Sequence, residues 1–295
     1  MGKLVRTISE NGGIIAIAID STDIVSRMER THRTSAVVTA ALGRLLTAAS
    51  IMGSLLKAKD ESITLRVNGG GPAGSLIAVT DYMGNVRGYV AEPIVEIPLN
   101  KFGKLDVSGA VGKNGTLSVV KDIGLKDPYV GQIPLVSGEI AEDITAYYAT
   151  SEQIPTACGL GVLVDTDLSC LAAGGAIIQL LPFADPAVAE KVEKNIGKLA
   201  NISSLIAKGV SLEDIAKMAM GDVEFDIFDE LDVEYRCNCS RDRVGGMLKS
   251  LGKNELNKLL DEQTAEGKER ELEVKCRFCG TPHTFSEDQL MKRFD

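Results

Sequence analysis

Apolar positions along the chain recur with two different periods, and the change from one to the other sets the predicted elements. Within residues 34–57, Val38, Leu42, Leu45, Ala49, Met52 and Leu56 fall three or four apart, the spacing of one helix face. The Ala and Leu between them predict a long, largely buried helix. Before it, Ile14 to Ile19 is an apolar, strand-like run after the turn residues Gly12-Gly13. After it, residues 62–68, 75–81 and 86–92 alternate apolar and polar side chains, separated by 69–74 and 82–85, and predict an antiparallel meander. Further strands are expected at 116–122, 131–136, 159–165 and 176–181. Between them Ser137 is expected to cap a helix running to about Glu152, with Ile140, Ile144 and Tyr147 on one face.

The pattern changes character at Pro182. Val188, Val192, Ile196 and Leu199 form a helical stripe that Leu205 and Ile206 extend, and Ser211 stands three residues before Asp214 as in a capping box. Residues 222–234 place seven acids among Val223, Phe225, Ile227, Phe228, Leu231 and Val233. Such a stretch can dock through its apolar positions while its charges make release cheap, or serve as a solvated connector. Beyond it, Ser240 is placed to cap a helix to Leu251, Asn254 to cap another to about Gln263, and residues 271–275 read as a strand. The expected fold class is α+β: an N-terminal α/β sandwich-like domain with antiparallel sheet (1–182), a helical linker (183–232) and a small α+β domain (233–295).

Charge narrows the functional classes. The net charge is −9, yet residues 233–295 balance 12 Lys and Arg against 12 Asp and Glu, so the acidic excess lies in 1–232. No basic footprint for phosphates is visible, and nucleic-acid binding is not expected. No run of about 18 apolar residues occurs, and Met1 to Asn11 carries no apolar signal region, so the expectation is a cytoplasmic chain without a membrane segment.

The distinctive chemistry is in cysteine. Four of the six stand as Cys237-Asn-Cys239 and Cys276-Arg-Phe-Cys279. Zinc takes four soft donors at tetrahedral corners with Zn–S of about 2.3 Å, which sets the sulfurs roughly 3.8 Å apart. A C-x-x-C pair reaches that spacing by a tight turn; a C-x-C pair reaches it in an extended segment, where residues i and i+2 face the same way. Two such pairs make a closed four-thiolate site for one Zn²⁺ with no position left for substrate, which argues for structural or sensory metal and against an enzyme; no catalytic residue is assigned. His283 is an alternative fourth donor. Cys158 and Cys170, set among apolar residues, read as buried structural thiols, His32 as a polar surface or packing residue, and Gly69–Gly74 as a hairpin turn lacking the Lys-Ser/Thr of a phosphate-binding loop. A zinc-ribbon nucleic-acid binder would need a basic module, and a thiol oxidoreductase a C-x-x-C at a helix start in electropositive surroundings. Zinc binding is worth about 10–16 kcal/mol, against the roughly 3–5 kcal/mol that so small a core supplies. Oxidation of the thiolates therefore converts to unfolding of the module.

Cys237-Asn-Cys239-Ser240, Leu251-Gly252 and Cys276-Arg-Phe-Cys279 together resemble the redox-regulated 33-kDa chaperonin family, heat-shock protein 33. Ala41-Leu-Gly-Arg44, Gly69-Gly-Gly-Pro72, Gly115 to Asp122, Ser137-Gly-Glu139, Ala172 to Gly175 and Gln179 to Pro182 extend the likeness along the chain. The resemblance implies a bacterial holdase that works without ATP, inactive while reduced and zinc-bound. Oxidants would eject the metal and join Cys237 to Cys239 and Cys276 to Cys279; the spacing alone permits three pairings. The module and the metastable linker would then unfold and expose apolar surface for unfolding client proteins, and the oxidised form would be a homodimer. An aromatic residue is usual in the family where His283 stands here.

Overall fold

The computed structural model describes residues 1–182, 184, 197–221, 223–265, 267 and 269–294. Val188, Val192 and Ile196 of the expected stripe lie outside the described residues. The chain divides into two units, Met1–Arg236 and Cys237–Asp295.

In the first unit the order is β1 (Gly2–Ser9), β2 (Ile14–Asp20), α1 (Thr22–His32), α2 (Ala36–Gly53), β3 (Ser62–Asn68), β4 (Leu76–Asp81), β5 (Val86–Val90), α3 (Val107–Val111), β6 (Thr116–Asp122) and β7 (Tyr129–Pro134). There follow α4 (Ala141–Tyr147), which continues as one π-helical turn (Tyr148–Glu152), then β8 (Thr156–Val164), β9 (Cys170–Leu180), α5 (Ile202–Ala207), α6 (Leu212–Met220) and β10 (Phe225–Val233). Two antiparallel five-stranded sheets result, with strand orders β10-β1-β2-β9-β8 and β5-β4-β3-β6-β7. The fold is α+β.

Helix α2 explains the architecture. All of its residues except Ala36 and Arg44 are buried, the signature of a helix covered on every side. It packs against strands of both sheets, so Ile17, Ile19 and Ile177 from one sheet and Ile63, Leu65, Leu117 and Val119 from the other join it in a single core. Packing is close at Gly43: a Cβ there would stand 2.9 Å from a methyl of Val25 and 3.0 Å from one of Val162. By length and composition α2 could cross a membrane, but 89% of it is buried within the fold.

The first sheet is covered on both faces. Along β2, Ile17 and Ile19 face α2, whereas Ile14, Ala16 and Ala18 belong to a second core with Ala176 and Ile178 of β9. That second core is closed by Leu199, Ile202, Ile215, Ala219 and Met220 from the segment after Pro182. Ser211 caps α6 as expected, its Oγ accepting the Asp214 N–H at 3.1 Å.

Two expectations are corrected. Within the acid-rich 222–234 stretch, Phe225–Val233 is neither helix nor free connector but β10, paired antiparallel to β1 from Gly2↔Val233 to Ser9↔Phe225 with one bulge. Arg6 holds it there, forming an ion pair with Asp229 and lying 5.1 Å from the centroid of the Phe228 ring. Ser137 does not cap α4. Instead the buried Asp143 carboxylate accepts the N–H groups of Val136 (2.7 Å), Ser137 (3.1 Å) and Ile140 (3.0 Å), and the helix begins only at Ala141. Within this first unit, β1, α1 and α3 are elements that the periodicity did not predict.

The second unit contains α7 (Arg241–Lys249), α8 (Lys253–Ala265), the hairpin β11 (Glu271–Lys275) and β12 (Pro282–Ser286), and α9 (Glu287–Met291). Its core comprises seven buried side chains: Val244, Leu248, Leu256, Leu260, Leu272, Phe285 and Leu290.

Candidate metal centre

The four cysteines predicted from the spacing converge. The sulfurs of Cys237, Cys239, Cys276 and Cys279 all lie within 4.8 Å of one another. Cys237 Sγ is 3.7 Å from Cys276 Sγ, and Cys239 Sγ is 3.4 Å from Cys279 Sγ. These separations match the roughly 3.8 Å edge of a tetrahedron of thiolates about a zinc-sized ion and exceed the ~2.05 Å of a disulfide. The donor set is closed and sulfur-only, and it could hold a metal ion.

Local structure places each sulfur. Cys237 and Cys239 lie in an extended stretch that ends at Ser240, the N-cap of α7, whose Oγ accepts the Arg243 N–H at 3.2 Å. The Arg243 side chain turns back and donates to the Asn238 carbonyl at 3.2 Å, fixing the residue between the two cysteines. Cys239 therefore sits just ahead of a helix start, where backbone N–H groups favour negative charge. Cys276 and Cys279 form the tip of the β11–β12 hairpin. The Cys276 N–H donates to the Thr281 carbonyl (2.9 Å) and the Gly280 N–H to the Cys276 carbonyl (2.8 Å), which closes the turn. Gly280 takes φ +72°, a conformation costly for any residue with a Cβ.

The thiols are not equivalent. Burial would raise Cys279, but the hydroxyl and N–H of Thr281 and the neighbouring sulfurs outweigh it and bring the thiol down to about 7. Burial raises Cys237, and burial and then the sulfurs of Cys279, Cys237 and Cys276 push Cys239 well above the usual thiol range. The crowded sulfurs thus share their protons unevenly, and a cation at their centre would remove the conflict.

His283 is not in the cluster; it lies on β12 opposite Val274, and its Nε2 is buried without a hydrogen-bond partner. Cys158 and Cys170 stay with the main core, where burial pushes their thiols up to about 12 and about 11, so both remain protonated and inert near neutrality. His32 approaches the Tyr235 hydroxyl at 3.1 Å, and that hydroxyl donates to the Gly88 carbonyl at 2.8 Å. In the glycine-rich turn the N–H groups of Gly71 and Ala73 are taken by the carbonyls of Val111 and Ala110, so they are not available to a phosphate. Sequence reasoning missed Arg243, Gly280 and Thr281. Only Gly280 carried a signal, a glycine directly after a C-x-x-C pair.

A family model described as Hsp33 protein matches residues 2–286. A 33 kDa chaperonin from Clostridium acetobutylicum is 48% identical over 99% of this chain and 98% of its own length. One from Clostridium botulinum is 43% identical over 98% and 95%. Among solved structures, the 33 kDa chaperonin (heat shock protein 33 homolog) of Thermotoga maritima superposes with a TM-score of 0.88 at 37% identity, covering 98% of this chain and 96% of that one. Family, relatives and fold agree along the whole chain, which belongs to the Hsp33 family of chaperones, proteins that act by binding and not by catalysis.

Proposed function

We propose that the chain is a redox-regulated, ATP-independent holdase of the cytoplasm that captures unfolding proteins under oxidative stress. The observation that carries the reading is the four-sulfur cluster in a unit whose described residues include seven buried core side chains. Cys237, Cys239, Cys276 and Cys279 would hold one Zn²⁺ in the reduced state, and the bound ion would keep the sulfurs deprotonated while tying the stretch before α7 to the hairpin tip.

Thiolates are the form that oxidants attack. Each disulfide forms from two thiolates with loss of two electrons, and peroxide accepts those electrons together with two protons from solvent to become two waters. Following the family resemblance, the pairs are Cys237 with Cys239 and Cys276 with Cys279. Donor and charge disappear together, so the ion leaves and residues 233–295 lose the larger part of their stability.

The linker, residues 183–232, is the next layer to yield. Its helices α5 and α6 cover a sheet face built from Ile14, Ala16, Ala18, Ala157, Ala176 and Ile178. This face is mostly alanine, so the helices gain little by burying it. Release would bare both the sheet face and the apolar sides of the helices, and clients would bind there while 1–182 stays folded. The oxidised form would associate as a homodimer, with neither nucleic acid nor membrane as a partner.

The test couples two measurements on the purified protein before and after peroxide: zinc and free-thiol stoichiometry, and light scattering from a heat-unfolded client. One zinc and six thiols falling to none and two, with suppression of aggregation appearing at the same time, is the expected result. Oxidised protein that leaves client aggregation unchanged sinks the reading.

A further inference from the structure

Between the last strand of the first sheet and the first sulfur ligand, the chain changes sheets. β10 ends at Val233, which pairs with Gly2 of β1. The next three residues, Glu234, Tyr235 and Arg236, lie along β5, an edge of the second sheet. The Val86 N–H donates to the Glu234 carbonyl (2.9 Å) and the Arg236 N–H to the Val86 carbonyl (2.7 Å), a parallel bridge around Tyr235. The Glu234 N–H donates to Asn85 Oδ1 at 3.2 Å.

The Tyr235 side chain extends what this short strap begins. The Asp81 N–H donates to the Asn85 carbonyl and the Ala91 N–H to the Ser75 carbonyl, and the register between them puts Arg87 and Tyr89 in the set bonded to β4. The main-chain groups of Val86 and Gly88 therefore point to the edge. Residues 234–236 take both groups of Val86. The Tyr235 hydroxyl takes both groups of Gly88, donating to its carbonyl at 2.8 Å and accepting its N–H at 3.4 Å. His32 Nε2 stands 3.1 Å from the same oxygen; the hydroxyl proton is already given to Gly88, so His32 is the donor. The ring is 5% exposed and belongs to the core around α2.

Only Arg236 separates Tyr235 from Cys237. The strap fixes the main chain one residue ahead of a sulfur, whereas Cys239 is held from its other side by the cap of α7. We propose that Tyr235 is a positioning residue for the metal centre: docking of 234–236 on β5 and binding of the ion are linked, each favouring the other. With the ion bound, the strap is held at both ends, by β10 and by the Cys237 sulfur. Without it, the strap becomes the root of an unfolded tail and frays. Such linkage is reciprocal, so withdrawing Tyr235 weakens ion binding by the factor that losing the ion weakens the strap. The strap also joins the first sulfur to β10, and its release is the step by which loss of the ion reaches the linker. The inference rests on the reading that the four sulfurs hold zinc.

The first measurement uses the unaltered, reduced full chain: residue-resolved amide exchange by nuclear magnetic resonance, zinc-loaded and after chelation. The N–H groups of Val86, Gly88 and Arg236, which the strap engages, should exchange at least about tenfold faster without zinc. Those of Arg87 and Tyr89, bonded to β4, should not change. The second is zinc affinity by competition with a chromogenic chelator. Tyr235→Ala should bind zinc roughly tenfold more weakly. Tyr235→Phe keeps the ring, loses the hydroxyl and should fall between it and the parent. Val119→Ala trims the same core and should match the parent; a merely structural Tyr235 would put the two alanine variants together. Unchanged exchange at Val86 and Arg236 after chelation, equal acceleration at Arg87 and Tyr89, or parental zinc affinity in Tyr235→Ala overturns the proposal. The exchange series needs no variant, so misfolding cannot mimic it. A reduced chain that carries no zinc sinks the metal reading and this inference with it. One that carries zinc but shows no alternation along β5 keeps the metal reading and loses this one.

Discussion

The two units of this chain are stabilised by different physics. In Met1–Arg236 the weight rests on α2, which is buried by strands of both sheets at the centre of one continuous core of some forty buried side chains, its own included. In Cys237–Asp295 seven apolar side chains and four sulfurs do the same work. Hydrophobic burial is indifferent to oxidants; thiolates are not. On the proposed function one part of the structure is lost to an oxidant while the rest is retained, which needs both kinds of stabilisation, each confined to its own unit. Between them in strength lies the alanine-rich layer beneath α5 and α6.

The sharpest way to break this comparison is to remove the metal. Chelation, or Cys276→Ser, should abolish amide-exchange protection across 237–294 without any oxidant, because about 10–16 kcal/mol of binding is lost from a core worth about 3–5 kcal/mol. Protection in α2 should not change. Lowering the pH should act in the same direction, since protons compete for the sulfurs, and zinc release followed with a chromogenic chelator should rise as pH falls. A C-terminal unit that stays protected after chelation would place its stability in the apolar core after all.

Next in size is the intermediate layer. Ile215→Ala removes a fully buried side chain from the second core and should cost about 2–4 kcal/mol. Faster exchange is expected in 202–220, together with dye binding and partial client capture before oxidation. Equal loosening of 36–53 would mean that the two cores are one cooperative unit.

Smaller effects sharpen the picture within the C-terminal, four-cysteine unit. Gly280→Ala forces a Cβ into φ +72° and should cost about 1–2 kcal/mol, read as roughly tenfold weaker zinc retention in a competition titration. Ser240→Ala removes the cap of α7 beside Cys239 and should lower the unit's stability by about 1 kcal/mol, visible as a lower melting temperature of the reduced protein and a lower peroxide dose for activation.

How much of this was legible in the sequence depended on how local the determining interaction is. The cysteine cluster could be read because ligand spacing is set by the ion, and α2 because a stripe of Leu and Ala at helical period has few alternatives. The meander of β3, β4 and β5 alternates cleanly since one face is buried. The failures share a cause. Residues 225–233 alternate only in part, broken at Ile227-Phe228 and Asp229-Glu230, and the run of acids outweighed the period of two; what makes them a strand is β1, more than 200 residues earlier, with Arg6 meeting Asp229 and Phe228. Ser137 was a reasonable cap until the buried Asp143 claimed the N–H groups around it. β12 and α9 escaped because a short hairpin return and a five-residue helix carry little period of their own.

The pairing of β1 with β10 also bears on how the protein is made. A ribosome emits about 5–20 residues each second, so the strand Gly2–Ser9 waits roughly 10–40 s for Phe225–Val233 to emerge and complete its hydrogen bonds. Throughout that interval the nascent chain carries an incomplete sheet, and the segment that closes it arrives directly ahead of the first cysteine pair. The sheet is therefore complete only once the residues directly ahead of Cys237 have been translated.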